Sequence, residues 1–347
     1  MSRKVAQQPA RDETVTLSEA KALIAALAAE ESVLLLSAPG LGKSDVIRAA
    51  AAEAGLPCRS LLGTQIAPED VSGVPRIEGE RAVFCPPRVL LPERPEPFCL
   101  FLDELPAASP DVQKAFYALL LERRIGEHEL PKGSWVVAAG NRAEDRALVR
   151  TISSALVNRV LLLHVRADVA EWLAWGRRAG VRADILAFIA AAPEALMRPV
   201  PAEPAPFSTP RAWASHSKSL TLAAAAGRGD EATRRALAFG KVSPGDAALF
   251  CALDEAEIAD LKPGRAYVAD PALLPGGAAP RWFVLRRIRE DAERGRLDGL
   301  APQAVDAFLT AIPSEARFTL LVGLVAVWAE LGADESLLEA LREATGL

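Results

Sequence analysis

VLLLSAPGLGKS, residues 33–44, joins a short apolar run, a turn of small residues and the start of a helix-forming segment. Positions 37–44 fit the pattern G-x-x-x-x-G-K-[ST], except that Ser37 stands in place of the first glycine. In this pattern, the backbone N–H groups of the turn and the positive end of the following helix bind the β-phosphate of a nucleoside triphosphate. The stretch therefore predicts a strand, a phosphate-binding loop and a helix in direct succession.

The same loop predicts individual ligands. Lys43 is expected to reach the β- and γ-phosphates, and the Ser44 hydroxyl to bind Mg²⁺. Ser37 requires the first turn to avoid a positive φ or to adopt one at some cost. A chance glycine-rich turn is the alternative, but a helix from Lys43 that ends at Gly55 and Pro57 favours the nucleotide site. The predicted nucleotide contacts are Pro39, Gly40, Leu41, Gly42, Lys43, Ser44 and Asp45.

A second motif follows another apolar run. The segment Cys99-Leu-Phe-Leu-Asp103-Glu104 places two carboxylates at the C-terminal end of a predicted strand, the edge where parallel α/β sheets bind ligands. Asp103 is expected to hold Mg²⁺, mostly through water, and Glu104 to polarise the water that attacks the γ-phosphate. The alternative for this pair is a cap for the helix that begins near Ser109-Pro110-Asp111.

A third apolar run, Ser134-Trp-Val-Val-Ala-Ala-Gly-Asn141, ends in a side-chain amide. Asn141 is placed to hydrogen-bond the γ-phosphate or the attacking water. Gly-Asn is also common in turns, so this segment alone leaves a turn residue and a ligand as equal alternatives.

The apolar runs predict the fold class. Continuous runs of this length are typical of strands buried on both faces of a parallel sheet. Thr16-Leu-Ser-Glu19 provides a capping box for a helix that ends near Glu30. We therefore expect an α/β fold, a P-loop core with a parallel five-stranded sheet between helices. The predicted strands cover residues 33–36, 59–62, 98–102, 135–139 and 160–165.

A proline-rich segment divides the chain. Six prolines between Pro193 and Pro210 cannot propagate a helix and favour an extended connector, with a long surface loop inside one domain as the alternative. Beyond it, alanine- and leucine-rich patterns predict helices at 211–226, 230–239, 246–261, 282–294, 304–311 and 315–330. The predicted organisation is a flexible tail at 1–14, an α/β core at 15–194, a linker at 195–210 and a smaller all-helical lid and C-terminal domain at 211–347.

Composition excludes several functional classes. A net charge of −5 and a pI near 5.5 argue against nucleic acid as the partner. The four cysteines form no C-x-x-C pair, which disfavours a zinc or disulfide framework. Three histidines offer little material for a Ser-His-Asp site. Without an apolar leader or a stretch long enough to span a bilayer, we expect a soluble, cytoplasmic protein with no membrane insertion.

The ordered set of motifs resembles the AAA+ ATPases, in particular MoxR-like members of the helix-2 insert clade. The likeness covers about residues 16–220 and implies an AAA+ core that binds and hydrolyses ATP with Mg²⁺. The choice between ATP and GTP remains open, because no base-contacting motif is legible. The motifs that carry the resemblance are the phosphate-binding loop, Asp103-Glu104, Asn141, Leu156-Val-Asn-Arg159 and Thr209-Pro-Arg211-Ala-Trp213.

The resemblance also implies catalytic roles. Asn141 matches sensor 1, Arg159 the arginine finger that reaches a neighbouring subunit's site, and Arg211 the sensor 2 arginine. A guanidinium at the γ-phosphate stabilises the charge that develops in phosphoryl transfer. Arg150 is the alternative candidate for the arginine finger. For both Arg159 and Arg211, the alternative is a surface charge that faces solvent and has no catalytic role. Gln65 is a further candidate, as a bridge to Glu104.

Two segments predict hairpins that interrupt the core, at residues 72–87 and 124–134. The first alternates apolar and charged residues around Glu78-Gly79-Glu80, and the second contains Gly126 and Pro131. In the family that the chain resembles, such hairpins line a ring's axial opening or touch a substrate. Two ordinary surface hairpins are the alternative.

The resemblance implies a hexameric ring that remodels or activates a protein partner carrying a von Willebrand factor A domain. One alternative is a DNA-directed AAA+ motor or GTPase of the restriction or helicase type, since Asn141-Arg-Ala-Glu-Asp145 is similar to the loop after sensor 1 in GTP-using restriction enzymes. A second alternative is a regulatory switch that binds nucleotide without sustained hydrolysis.

Overall fold

The computed structural model describes residues 13–88, 90–91, 96–125, 127–142, 154–253, 257–258, 260–312, 317 and 320–345. Arg150, Gly126, Asp145 and the predicted tail up to residue 12 lie outside these ranges. Thr14, the last residue of that predicted tail, belongs to a strand.

Ten strands lie in the described part of the first half of the chain. They are β1 Thr14–Val15, β2 Val33–Ser37, β3 Cys58–Leu62, β4 Val74–Glu78, β5 Arg81–Cys85, β6 Cys99–Asp103, β7 Arg124–Ile125, β8 His128–Glu129, β9 Trp135–Asn141 and β10 Leu161–Val165.

Six of these strands form a parallel sheet in the order β1-β10-β2-β9-β6-β3. The prediction of five strands was one short, because the two-residue strand β1 pairs Thr14 with His164 at the sheet edge. This strand is too short to carry a hydrophobic pattern.

Both faces of the sheet are buried, which explains the uninterrupted apolar runs. Along β2, Val33 and Leu35 face one core while Leu34 and Leu36 face the other, as the two-residue period of a strand requires. The helices of this region are α1 Leu17–Leu27, α2 Lys43–Glu53, α3 Glu69–Ser72, α4 Pro110–Glu122 and α5 Ser154–Val157.

Helices cover both faces of the sheet. Helices α1 and α2 contribute Ile24 and Ile47 to the first core, and α4 contributes Phe116 to the second. The predicted capping box is present, since the Thr16 side chain accepts from the backbone N–H of Glu19 and the Glu19 carboxylate accepts from Thr16. The predicted fold class, an α/β core with a parallel sheet between helices followed by a helical region, is confirmed.

Hairpins lie where the sequence predicts them. Strands β4 and β5 pair antiparallel, with Ile77 opposite Ala82, and β7 pairs with β8. The ring of His128, at the tip of the second hairpin, lies 3.3 Å from the Phe84 carbonyl of the first.

Internal contacts divide the chain into two compact units. The first comprises Met1–Trp172, Pro199–Ala205 and Thr209–Ala212, and the second comprises Leu173–Arg198, Pro206–Ser208 and Trp213–Leu347. The division falls earlier than the predicted linker at 195–210. The reason is aromatic packing within the second unit, where the Phe188 ring lies 5.4 Å from those of both Trp213 and Phe250.

The second unit is helical, as expected, although two predicted helices are interrupted. The helix predicted at 246–261 ends at Cys251, where the Arg234 guanidinium donates to the carbonyls of Phe250 and Leu253 and caps the helix end. The helix predicted at 315–330 is broken by Gly323, which has a φ of +72°. The remaining helices are α6 Val169–Arg178, α7 Ala183–Ala191, α8 Pro210–Ala225, α9 Glu231–Phe239, α10 Pro244–Cys251, α11 Gly264–Ala269, α12 Ala278–Glu293, α13 Pro302–Ala311, α14 Val325–Glu330 and α15 Glu335–Thr345.

Within the ranges given above, no helix combines the length and the apolar character that crossing a bilayer requires.

A buried histidine lies in the aromatic core of the second unit. The His216 side chain is fully buried between Trp213 and Phe250, and among the described residues neither ring nitrogen has a hydrogen-bond partner. Burial lowers the pKa of His216 to about 4, assisted by the charges of Arg234, Arg182 and Lys241 and opposed by Asp184. The imidazole is therefore neutral in the folded protein at pH 7.

This burial predicts a pH dependence of stability. Because the folded pKa lies below the unfolded value of about 6.5, unfolding takes up a proton below pH 6.5, and stability falls as the pH decreases through that window. Between pH 7.5 and pH 5, the free energy of unfolding of wild type should fall by about 2 kcal/mol more than that of H216L. Urea unfolding at the two pH values measures this difference. A constant difference between wild type and H216L would contradict the assignment.

Candidate functional site

The carboxyl ends of parallel strands bring the predicted site residues to one edge of the sheet. Ser37 at the end of β2 is in register with Asn141 at the end of β9, and Leu62 at the end of β3 is in register with Asp103 at the end of β6. Because β9 lies between β2 and β6, the phosphate-binding loop, the amide and the acidic pair share one edge, where α/β proteins bind their ligands.

The predicted phosphate-binding loop, residues 37–44, contains two glycines in left-handed conformations. Gly40 and Gly42 have φ values of +79° and +110°, which L-residues with a side chain rarely adopt. Gly42 precedes α2 and provides no side-chain cap for the helix. The first-turn N–H groups at Lys43 and Ser44 are therefore placed to bind an anion, as in other helix N-termini that hold phosphate.

The backbone of Ser37 is unstrained, although serine replaces the usual glycine of the motif. It remains in strand β2 and is absent from the left-handed region, so replacing the usual glycine costs no backbone strain. Its buried hydroxyl donates to the Ala38 carbonyl and accepts from the Lys43 ammonium at 2.8 Å. The departure from the motif therefore supplies an additional oxygen for the lysine.

Lys43 is nearly buried, with 8% of its surface exposed. Its ammonium also donates to the Asn141 amide oxygen at 3.1 Å and lies 3.4 Å from the carbonyls of Ser37 and Ala38. A buried ammonium requires such oxygens to offset the loss of hydration. The amide and the lysine that are both predicted to contact the γ-phosphate are therefore in contact with each other.

The residues predicted to bind Mg²⁺ are also adjacent. The Ser44 hydroxyl donates to a carboxylate oxygen of Asp103 at 2.9 Å. A hydroxyl and a carboxylate are the hard oxygen ligands that Mg²⁺ accepts, and the ion normally completes its shell with phosphate and water. The described residues contain no group of three or more His, Cys, Asp or Glu side chains that would enclose a metal. The donor set therefore fits a metal that binds together with a nucleotide.

Glu104 has a strained backbone. Its φ of 54° and ψ of 32° place a residue with a side chain in the left-handed region, at a cost on the order of 1 to 3 kcal/mol. The side chain is exposed and accepts a hydrogen bond from the Thr64 hydroxyl at 3.1 Å. The backbone N–H of Glu104 donates to Asp103. Strain of this kind is found where a fold holds a catalytic side chain in a fixed direction.

A close backbone approach permits this conformation. The 3-10 turn Leu105–Ala107 packs so tightly on β9 that a Cβ at Gly140 would lie 2.2 Å from Pro106. Gly63, after β3, donates its N–H to the Asp103 carbonyl. Glycine at position 140 therefore allows the acidic pair and Asn141 to lie beside each other.

The two predicted arginines have different surroundings. The Arg159 guanidinium lies over the Tyr117 ring of the same chain, 5.2 Å from its centroid. Arg211 has an exposed side chain, and its backbone N–H donates to the Gly40 carbonyl of the phosphate-binding loop at 3.0 Å. Arg211 thus lies next to the loop through its main chain, while the roles of both side chains stay predictions.

Other predicted residues are placed as follows. Leu41 is buried in the core beside Ile47, which anchors the loop, and the Asp45 side chain is exposed near Arg48. Gln65 is exposed as well; Thr64, which the sequence did not single out, provides the contact to Glu104. A polar residue one position earlier carries no pattern of its own, so only the geometry identifies it.

Comparison with known proteins gives fold likeness alone. A point variant of Thermotoga maritima RuvB is 16% identical, with 82% of this chain and 84% of that chain covered and a TM-score of 0.43. The Thermotoga maritima RuvB Holliday junction branch migration motor is 15% identical over 95% and 85%, with a TM-score of 0.41. An ATPase candidate from Cytophaga hutchinsonii is 16% identical over 96% and 90%, with a TM-score of 0.37. At these values nothing about activity follows.

No protein-family model matches this chain, and no curated protein matches it at a significant level.

The backbone strain at Glu104 yields a prediction about stability. Glycine adopts a φ of 54° without steric cost, so E104G should raise the free energy of unfolding by about 1 kcal/mol. E104Q retains the shape and the strain, and it should unfold within about 0.5 kcal/mol of wild type. Urea unfolding of the three proteins measures both. Equal stability of E104G and E104Q would contradict the presence of strain at this position.

Proposed function

We propose that this chain is a Mg²⁺-dependent AAA+ ATPase of the MoxR-like type, which assembles as a ring and remodels a protein partner. The observation that carries the nucleotide assignment is the pair of contacts under the phosphate-binding loop: Ser44 to Asp103 at 2.9 Å and Lys43 to Asn141 at 3.1 Å. These contacts bring together the phosphate-binding, metal-binding and amide groups that phosphoryl transfer requires.

Each residue then has a chemical role. Bound Mg-ATP supplies the phosphoryl group and the divalent charge. Lys43 and the first-turn N–H groups of α2 hold the phosphates, and Ser44 and Asp103 hold the metal. Glu104, fixed beside Asp103, polarises the attacking water, and Asn141 orients it. The exposed position of the Glu104 side chain leaves room for water on that side of the edge.

The proposed ring supplies the remaining positive charge. In phosphoryl transfer a guanidinium at the γ-phosphate stabilises the charge of the transition state, and one donated by a neighbour makes hydrolysis depend on assembly. Arg159 follows the short helix α5, and its guanidinium lies over Tyr117, an aromatic platform that limits its conformations. We propose that Arg159 is this guanidinium, which one subunit inserts into the nucleotide site of its neighbour.

The chemistry of the first hairpin favours a protein partner. Val74, Ile77 and Phe84 are exposed by 62%, 73% and 39%, and exposed apolar side chains at such density mark contact surfaces for proteins. The charges of residues 72–87, two arginines and two glutamates, cancel, which gives this surface no net attraction for phosphate. Arg76 is moreover in contact with Glu78. By the resemblance, the proposed partner carries a von Willebrand factor A domain.

Two alternatives are kept as outcomes of the tests. A DNA-directed motor would bind DNA with a steep salt dependence and hydrolyse nucleotide faster with DNA present. A regulatory switch would bind nucleotide and change shape with no turnover that depends on Glu104.

The hydrolysis test uses substitutions at the sheet edge. E104Q should bind Mg-ATP within a few-fold of wild type and lose at least about 100-fold in kcat, because the amide cannot accept the water's proton. K43A should lose nucleotide binding, since the loop then lacks its buried cation. Calorimetry measures binding and phosphate release measures turnover. Unchanged turnover in E104Q would support the switch, and no binding by folded wild type at millimolar Mg-ATP would overturn the proposal.

The same variant identifies the partner class. Affinity capture with E104Q and Mg-ATP should recover a specific protein, with K43A as the matched control that cannot enter the bound state. Recovery of DNA by E104Q but not by K43A would replace the protein-remodelling role with the motor.

The origin of the arginine can be tested by mixing two inactive variants. R159A retains its own loop, and K43A retains Arg159, so each should be inactive alone. In a mixed ring, a K43A subunit completes the site of its R159A neighbour, and an equimolar mixture should recover about a quarter of the wild-type rate. Activity of the mixture at the level of the separate variants would contradict donation by Arg159.

R150A mixed with K43A is the matched comparison. If Arg150 is the finger instead, R150A alone is inactive, its mixture with K43A recovers activity, and R159A alone hydrolyses ATP. If Arg159 is the finger, R150A alone hydrolyses ATP.

A further inference from the structure

The start of helix α8 is completed by the phosphate-binding loop. The first helical N–H groups have no partner within their own helix and must be satisfied from outside. Pro210, the first residue of α8, has no N–H. The next N–H, from Arg211, donates to the Gly40 carbonyl at 3.0 Å, and the N–H of Ala212 donates to the Thr209 hydroxyl at 3.0 Å. One cap is thus local, and the other is contributed by the loop.

Thr209 also packs against Gly40 directly. A Cβ placed on Gly40 would lie 2.6 Å from the Thr209 hydroxyl oxygen and 2.8 Å from its Cβ. The Thr209 side chain is 4% exposed, so it has little room to move aside. Gly40 therefore has two reasons to be glycine, its left-handed φ and its contact with Thr209.

These contacts lie within the first compact unit. Residues Thr209–Ala212 belong to the same unit as the sheet and its loop, whereas the chain from Trp213 onward belongs to the second. The first three positions of α8 are therefore counted with the nucleotide site and the remainder with the helical unit.

We propose that Thr209 is a positioning residue for the phosphate-binding loop, holding Gly40 in its nucleotide-binding conformation through side-chain packing and through the helix start that it caps. This inference rests on the proposed nucleotide site. The cap keeps the N–H of Arg211 directed at the Gly40 carbonyl, and the side chain blocks movement of Gly40 toward the helix. A loop that is fixed before the ligand arrives loses less conformational entropy on binding.

The first experiment compares T209A with T209S and with a matched substitution on the same helix. T209A loses the cap and the hydroxyl and methyl contacts with Gly40, keeping only the Cβ beside it, and its dissociation constant for Mg-ATP should rise about five- to tenfold. T209S retains the hydroxyl and should bind within about twofold of wild type. T221A is the control on the same helix, because Thr221 belongs to the second unit and its hydroxyl donates to the Ser217 carbonyl, four residues earlier in α8.

Hydrogen exchange without nucleotide separates positioning from simple capping. In T209A, the amides of residues 37–44 and of residues 211–213 should both exchange faster than in wild type. A residue that only capped the helix would change the second segment and leave the first unchanged. Unchanged exchange of residues 37–44 in T209A, or Mg-ATP binding within twofold of wild type, would overturn the proposal.

A second experiment tests the contact itself and does not depend on T209A folding. G40A introduces both a strained φ and a collision with Thr209, whereas G42A introduces the strained φ alone, since its Cβ would meet nothing nearer than 3.7 Å. T209G should therefore restore part of the stability lost in G40A, measured by urea unfolding, and restore none in G42A. Equal effects of T209G on the two variants would contradict the contact.

The two proposals fail in different ways. If folded wild type binds no Mg-ATP, the nucleotide site is wrong, while the exchange and unfolding comparisons still decide whether Thr209 holds the loop. If wild type binds Mg-ATP and the Thr209 variants behave as wild type, only the positioning role is wrong.

Discussion

Four neighbouring strands, β2, β9, β6 and β3, run parallel and in register, so the residues at their carboxyl ends lie along one edge of the sheet. Ser37, Asn141 and Asp103 are far apart in sequence and meet only because of this register. A slip of one residue in any of these strands would turn its side chains to the opposite face. The two cores that pack on alternate faces therefore fix the register and, with it, the composition of the site.

Two groups at this edge of the sheet lower the stability of the fold. The Lys43 ammonium is almost buried and has to be offset by oxygens, and Glu104 has a left-handed backbone. The protein tolerates both because its glycines allow close approach, as where Pro106 packs on Gly140. Both features cost stability, and they lie together where the predicted ligands of the nucleotide and the metal meet. Their coincidence at one sheet edge is the physical argument for function.

Much of this arrangement could be predicted from the sequence, because strands and helix caps are marked by local sequence patterns. Apolar runs predict the long strands, and Thr16 is found as the predicted helix cap. Signals that depend on tertiary contact are missed. The strand at Thr14 is too short for a pattern, and the end of α10 depends on Arg234 from another helix. Thr64 is identified as the partner of Glu104 only once β3 and β6 are paired.

Gly40 combines two demands that would otherwise be independent. Its loop is proposed to bind phosphate, and its carbonyl completes the first turn of α8 by accepting from Arg211. A change in loop conformation that turns this carbonyl away would leave a helix N–H without its partner, at a cost of about 1 to 3 kcal/mol where water is excluded. Whatever stabilises the loop therefore stabilises the helix start by the same linkage, and the reverse holds equally. The sequence separation of about 170 residues between Gly40 and Arg211 is no obstacle, since one hydrogen bond carries the coupling.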